Sequence, residues 1–160
     1  MQRWLGNCGR QNLPPPLRGR GGAGSIVPTT TTAVQALYQV LPGCSGRVDG
    51  MALRVPTAAV ANIDLVAELA LPVSADEVNE AFKRSAAGSL AGILGVTDEE
   101  LVSCDFRGSR YSALLDAPLT RVVGGNLVRI LAWYDNEAGY SSRLIDLIGV
   151  VGATPTGDRD

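Results

Sequence analysis

The sequence contains no histidine, and this absence excludes two kinds of site at once. No cysteine–histidine pair can form for nucleophilic catalysis, and no metal site can use an imidazole ligand. The three cysteines, Cys8, Cys44 and Cys104, also lack metal-ligand spacing. We therefore predict no metal site and reduced cysteines, which is typical of a cytoplasmic protein.

No acidic residue precedes Asp49, so the first part of the chain is basic. The net charge of −2 nevertheless gives no overall attraction to nucleic acid or to an anionic membrane. The basic stretch contains Gly and Pro in place of the aromatics typical of nucleic-acid binding, and no apolar run is long enough to span a membrane. We predict neither of these partners.

The length of 160 residues and a hydrophobic content of 46% are typical of one globular domain with a real core. Gly, Pro and Arg dominate the N-terminal stretch without periodicity, so residues 1–24 are predicted to be an irregular arm. Residues 25–152 are predicted to form the domain. Residues 153–160 are polar and are predicted to be a disordered tail.

Hydrophobic periodicity predicts helices and strands that do not alternate regularly. Helices are predicted over 29–41, 74–88 and 139–151, with a short helical turn at 97–100. Strands are predicted over 47–56, 63–71, 101–106, 112–116, 119–123 and 127–134. The 63–71 run has the clearest period of two, which predicts a half-buried strand with one core face and one wetter face.

Because several strands follow one another, we predict an α+β fold: a mixed, mostly antiparallel sheet with helices packed on one face. No Gly-rich dinucleotide motif follows a strand, so no Rossmann half is expected.

Four segments carry the functional signal. They read I-V-P-T-T-T-T-A (26–33), G-M-A-L-R-V-P-T (50–57), G-I-L-G with V-S-C-D-F (92–95 and 102–106) and W-Y-D-N-E-A-G-Y (133–140). In this order and spacing they resemble the C-terminal catalytic domain of the glyceraldehyde-3-phosphate dehydrogenase family, from about Arg18 to Gly152. The resemblance implies a fragment of an oxidoreductase that acts on a phosphorylated aldehyde, with NAD or NADP as acceptor and inorganic phosphate as second substrate, in a homo-oligomer.

The resemblance also implies a phosphate site. Arg54 matches the family's phosphate-binding arginine, and a guanidinium offers a planar fork to phosphate oxygens. Thr31 matches the threonine at a helix start, a position that suits anions. Thr32 stands where the family has glycine, and Arg18 matches an upstream arginine. The alternatives are a surface arginine paired with a carboxylate and simple helix capping by the threonines.

Two further residues match the family's nicotinamide contacts. Asn136 matches the asparagine that binds the nicotinamide carboxamide, since an amide both donates and accepts hydrogen bonds. Tyr140 matches the tyrosine beside the nicotinamide ring. The alternatives are a turn residue bonded to its own backbone for Asn136 and a core aromatic for Tyr140.

The family's catalytic cysteine and histidine have no counterparts here, so we expect the isolated chain to be inactive. Two other functions stay open. One is a non-catalytic interaction module that binds full-length subunits. The other is a fragment of an erythrose-4-phosphate dehydrogenase, because the motifs bind phosphate and nicotinamide and do not recognise the carbon chain of the substrate.

Overall fold

The computed structural model describes residues 24–153. The chain divides into two compact units, residues 1–58 and 59–160. Most of the predicted arm (1–24) and almost all of the predicted tail (153–160) therefore lie outside the described residues. Between 24 and 153, no helix is both long and apolar enough to cross a bilayer.

The first unit contains a two-stranded antiparallel ribbon and one helix. Strand β1 (Val27–Thr29) pairs with strand β2 (Ala52–Arg54), with Val27 opposite Arg54. Helix α1 (Ala33–Val40) lies between them in the chain and is followed by a 3₁₀ turn that Pro42 begins. The predicted helix and the 47–56 strand are both confirmed, but they are shorter than expected. The predicted helix starts four residues late, because Thr29 ends β1 and a bend over residues 30–32 separates the strand from the helix.

The second unit is built on a five-stranded sheet. Its strands are β3 (Ala61–Glu68), β4 (Leu94–Thr97), β5 (Ala113–Asp116), β6 (Arg121–Val123) and β7 (Leu127–Tyr134). Strand β7 is central: β3 pairs with it over eight residues, and β5 and β6 pair with its other edge. Only the β4–β5 pair is parallel among these ladders. The predicted mixed, mostly antiparallel sheet is confirmed.

Helix α2 (Ala75–Ala87) covers part of one sheet face and closes the core. Ser74 and Glu77 form the predicted capping box, in which the Ser74 hydroxyl accepts from the Glu77 N–H and the Glu77 carboxylate accepts from the Ser74 N–H. Val78 and Phe82 of the helix pack against a buried cluster centred on Leu115, which is fully buried. The cluster also contains Val128 and Ile130.

Helix α3 (Asn136–Ala153) begins three residues earlier than the periodicity predicts. The reason is that Asp135 caps it, as described below. Beyond its first turns the helix exposes an apolar surface: Leu147, Ile148 and Val151 are each more than half exposed within the described chain.

Two predictions between 94 and 106 are wrong. Residues 101–106 form no strand, because the Asp105 carboxylate accepts from the Val102 N–H and stabilises a 3₁₀ turn over Ser103–Phe106. The helical turn at 97–100 is also absent. Thr97 instead ends strand β4, and its hydroxyl accepts from the Glu99 N–H in a bend.

Strand β3 confirms the 63–71 prediction as a strand but not as half-buried. Ile63 and Leu65 on one face are 51% and 43% exposed, and Val66 on the other face is 56% exposed. Within the described residues β3 pairs only with β7, so it is an edge strand. The alternation correctly separates two faces, but the expected core face is left uncovered.

Candidate functional site

The two threonines before α1 have different local roles. The Thr31 hydroxyl accepts a hydrogen bond from the Ala33 N–H at 3.1 Å, whereas the Thr32 side chain makes no capping bond. Thr31 therefore bonds the N–H of the first residue of α1 from the position before the N-cap Thr32. Thr32 has φ −87°, which any L-residue adopts without strain. The replacement of the family's glycine by threonine is thus compatible with the backbone here.

The start of α1 differs in charge from the starts of the other two helices. Its first turn carries no acidic residue, whereas α2 has Asp76 and Glu77 there and α3 has Glu137. The unpaired N–H groups and the dipole of a helix give its N-terminus a partial positive charge. In α2 and α3 the chain's own carboxylates use that charge. In α1 no carboxylate of the first turn does so.

Arg54 is the last residue of β2 and lies in the same unit as Thr31 and Thr32. It is exposed, and it makes no ion pair with any residue between 24 and 153. The alternative of an arginine paired with a carboxylate therefore finds no support in the described chain. The ribbon register sets Arg54 opposite Val27, four positions before Thr31.

Asn136 and Tyr140 lie on the first turn and a half of α3, in the second unit. Four positions apart, they are neighbours on one face of the helix. Both are exposed, Tyr140 by 67%, so Tyr140 is not a core aromatic within the described chain. This turn presents a carboxamide and a phenol side by side.

Asp135 is the residue that orders this turn, a role that the sequence motif did not indicate. Its Oδ1 accepts from the N–H groups of Glu137 and Ala138, which caps α3, and its Oδ2 accepts from the Gly108 N–H at 2.9 Å. The Gly108 hydrogen bond, followed by that of Ala138, holds the pKa of the Asp135 carboxyl below its ordinary value. The backbone capping that was considered for Asn136 is therefore done by its neighbour.

Trp133 fixes the end of β7 from the other side. Its indole stacks on Phe106 with ring centroids 5.2 Å apart, and its Nε1 donates to the buried Asp116 carboxylate at 2.9 Å. Together with the Asp135–Gly108 bond, this stack joins the W-Y-D-N segment to the D-F-R-G segment. The third and fourth sequence motifs are thus contacting partners in one structure.

Two motif glycines lie in close contact with Tyr111. A Cβ on Gly139 of α3 would lie 3.0 Å from the backbone oxygen of Tyr111. A Cβ on Gly95 of β4 would lie 3.1 Å from the ring of the same tyrosine. Gly139 therefore lets the start of α3 approach the backbone before β5.

The remaining residues considered in the sequence are Arg18 and the three cysteines. Arg18 and Cys8 lie outside the described residues. Cys44 is half-buried and Cys104 exposed, and both are free thiols. Between residues 24 and 153 no cluster of histidine, cysteine, aspartate or glutamate is suited to a metal ion.

Comparisons with a family model and with known proteins all point to one protein family. The family model "Glyceraldehyde 3-phosphate dehydrogenase, C-terminal domain" matches residues 11–136. The chain is 49% identical over 134 residues to a glyceraldehyde-3-phosphate dehydrogenase of Geobacillus stearothermophilus, which covers 84% of the chain and 40% of that protein. It is 50% identical over 134 residues to the chloroplastic protein GAPA1 of Arabidopsis thaliana, covering 84% of the chain and 34% of that protein.

The fold and the matched segments define an α+β domain of the dehydrogenase class. The chain belongs to the glyceraldehyde-3-phosphate dehydrogenase family, as its C-terminal domain. It spans about two-fifths of the length of the Geobacillus relative. This confirms the resemblance that the four motifs indicated.

Proposed function

We propose that this chain supplies the C-terminal share of an NAD(P)-dependent phosphorylating aldehyde dehydrogenase, and that its first described unit binds phosphate. Two features of one unit carry the proposal. Arg54 makes no ion pair with any residue between 24 and 153, and the first turn of helix α1 contains no carboxylate. The ligand is the phosphate of an aldehyde substrate or inorganic phosphate.

Each phosphate-site residue has a defined task in this proposal. Arg54 binds phosphate oxygens through its guanidinium fork. The Thr31 hydroxyl already accepts from the Ala33 N–H, which leaves its own hydrogen to donate to the anion. Thr32 offers its hydroxyl and backbone beside the helix start. Arg18 adds a second positive charge from the preceding segment.

The second unit contributes one edge of the nicotinamide site. The Asn136 carboxamide matches the donor and acceptor pattern of the nicotinamide amide, and the exposed Tyr140 ring lies beside it on the helix. When bound, NAD or NADP accepts the hydride from the substrate. Asn136 and Tyr140 orient the nicotinamide. The rest of the cofactor site lies in the part of the family's proteins that this chain does not span.

We propose further that the 160 residues do not turn over on their own. Hydride removal from an aldehyde requires a covalent adduct with a thiolate in this family, and a neighbouring base activates that thiol. No histidine is present to activate one. Mixing the purified chain with glyceraldehyde 3-phosphate, NAD and phosphate should produce no NADH, and steady NADH formation would refute this point.

Phosphate binding tests the main proposal directly. Titration of the chain with inorganic phosphate, followed by calorimetry or phosphorus NMR, should show Arg54→Ala weakening binding by about tenfold, the effect of one lost charge-assisted contact. Arg47→Ala is the matched control, since Arg47 is an exposed arginine of the same unit. It should change affinity by less than about twofold. Equal losses in both variants would mean diffuse charge attraction and would contradict a built site.

The proposal extends to assembly and location. A homo-oligomer and a cytoplasmic location fit the family, although two relatives are named as chloroplastic. Erythrose 4-phosphate stays an alternative substrate, because phosphate recognition does not depend on the rest of the sugar.

A further inference from the structure

Strand β3 is the longest free edge of the five-stranded sheet. It pairs with β7 over eight residues, and no strand between residues 24 and 153 pairs with its other side. The other two outer strands are short: β4 has four residues and packs against helix α2, and β6 has three. An unpaired edge presents backbone N–H and C=O groups that a further strand can bind.

The hydrogen-bonding direction of β3 alternates along the strand. One step beyond the ladder the Leu69 N–H donates to the Asn126 carbonyl oxygen, so the odd-numbered residues direct their N–H groups to β7. The even-numbered residues therefore direct their N–H and C=O groups away from β7. They are Asn62, Asp64, Val66 and Glu68, and all four are exposed.

Strand β3 lacks the features with which edge strands usually avoid pairing. It contains no proline and no lysine, and its ladder with β7 runs without a bulge. The Asp64 carboxylate forms a bidentate ion pair with Arg129 of the same chain. Glu68 is the one other charged residue of the strand. The edge therefore presents little charge repulsion to another strand.

Two twofold arrangements of antiparallel β3 strands overlap almost the whole strand. One pairs residues 61–67 with 67–61 of a second copy and places Asp64 opposite Asp64, and like charges directly opposite are unfavourable. The other pairs 62–68 with 68–62 and places Leu65 opposite Leu65 and Asp64 opposite Val66. No like charges are directly opposite in this second register.

We propose that this chain forms a twofold dimer in the second register, with β3 paired to β3 of a second copy. The outward N–H and C=O groups of the even-numbered residues then bond to one another across the axis. Each Asn62 carboxamide lies opposite a Glu68 carboxylate, to which it donates. Leu65, which is 43% exposed in the single chain, meets its counterpart in a non-hydrogen-bonded pair, where side chains come closest.

Removal of one outward N–H group tests the pairing. Val66→Pro deletes an N–H that faces away from β7, whereas Val66→Thr keeps that N–H and is also β-branched. Sedimentation equilibrium of the full 160-residue chain should show a dimer at about 100 µM, a concentration at which micromolar dissociation constants are measurable. We expect Val66→Pro to weaken dimerisation by about 30-fold or more and Val66→Thr by less than about threefold.

Disulfide cross-linking tests the register. The background is the full chain with its three native cysteines replaced by serine. In that background Leu65→Cys should form a covalent dimer under mild oxidation, because opposed residues of a non-hydrogen-bonded pair have Cα atoms about 4.5 Å apart, within reach of a disulfide. Ala67→Cys is the matched control on the same face. Its counterpart would lie about 14 Å away, so its cross-linking yield should be less than about a tenth as high.

Three results would overturn the proposal. The first is a wild-type chain that stays monomeric at about 100 µM, and slow exchange of the Val66 amide in that monomer would show that another segment of the chain occupies the edge. The second is equal weakening in Val66→Pro and Val66→Thr, and the third is equal cross-linking at positions 65 and 67. Slow exchange of the Leu65 amide, which faces β7, verifies that each Val66 variant keeps its ladder. Arg54→Ala should leave dimerisation unchanged, so failure here and failure of the phosphate proposal are distinguishable.

Discussion

The two described regions differ in how they are packed. Between residues 24 and 58, Thr29 alone is buried, whereas the region from 59 to 153 has an apolar cluster around the fully buried Leu115. Yet the first region contains Thr31, Thr32 and Arg54 of the proposed phosphate site. These proposed positions are thus separated along the chain from the apolar cluster, which is expected when binding side chains must stay accessible.

Truncating the centre of the apolar cluster should give the largest loss. Leu115→Ala removes a side chain with no exposed surface, so the free energy of unfolding should fall by about 3 kcal/mol. Urea denaturation followed by tryptophan fluorescence measures it. The control is Leu53→Ala in β2, where the side chain is 56% exposed and the loss should stay within about 0.5 kcal/mol. Equal losses would remove the contrast between the two regions.

Removing the cap of α3 should cost about 2 kcal/mol. Asp135→Ala deletes three hydrogen bonds from backbone N–H groups, including the one from Gly108 that reaches another segment. Asp135→Asn keeps one oxygen for the cap and loses the Gly108 bond, so it should cost less. Denaturation of both variants at neutral pH measures the difference.

The same carboxylate predicts a pH dependence. Because folding lowers the pKa of Asp135, its stabilisation is fully present above the ordinary aspartate pKa of 3.8 and is lost as the pH falls through the lower folded value. The wild-type chain should therefore lose stability on acidification below about pH 4 more steeply than Asp135→Asn. Parallel pH profiles in the two proteins would show that Asp135 does not contribute.

A close contact at the start of α3 predicts opposite signs for two glycine substitutions in one helix. Gly139→Ala places a methyl 3.0 Å from the Tyr111 backbone oxygen, which cannot move aside easily, so we expect a loss of about 1.5 kcal/mol. A Cβ at Gly149 meets nothing within 4 Å, and Gly149→Ala should gain about 0.5–1 kcal/mol from helix propensity. Thermal denaturation of both variants compares them. A gain in both would mean that the α3–Tyr111 approach is not tight.

The smallest effect is expected in the first region. Thr31→Ala removes the acceptor of the Ala33 N–H, so amide exchange at Ala33 should become about twofold faster, equivalent to about 0.5 kcal/mol. Thr32→Ala should leave that amide unchanged, because the Thr32 side chain makes no capping bond. Faster exchange of the Ala33 amide in both variants would mean that Thr31 and Thr32 both protect it, and not Thr31 alone.

Much of the fold was predictable because local signals agreed with tertiary packing. The capping box at Ser74 and the 3.6-residue period after it mark α2, and the apolar run to Tyr134 marks β7. Strand β4 was missed, since Gly95 interrupts its pattern. That glycine is there for the Tyr111 ring, which packs against it.

The sequence predicted only those residues of the candidate site that belong to a family motif. Arg54, Asn136 and the threonines were assigned by resemblance, and their roles remain predictions. The function of Asp135 was not visible, because its partner Gly108 lies 27 positions earlier and only the folded chain brings the two together. The partnership of Trp133 with Phe106 was hidden for the same reason.

The uncharged first turn of α1 has a consequence for engineering this domain. A designer seeking a sturdier helix would place an aspartate or glutamate there, since that substitution commonly adds a few tenths of a kcal/mol. In the proposed phosphate site the added carboxylate would act as a tethered competitor for the anion. That proposal therefore predicts that thermostability and phosphate affinity change in opposite directions on such a substitution.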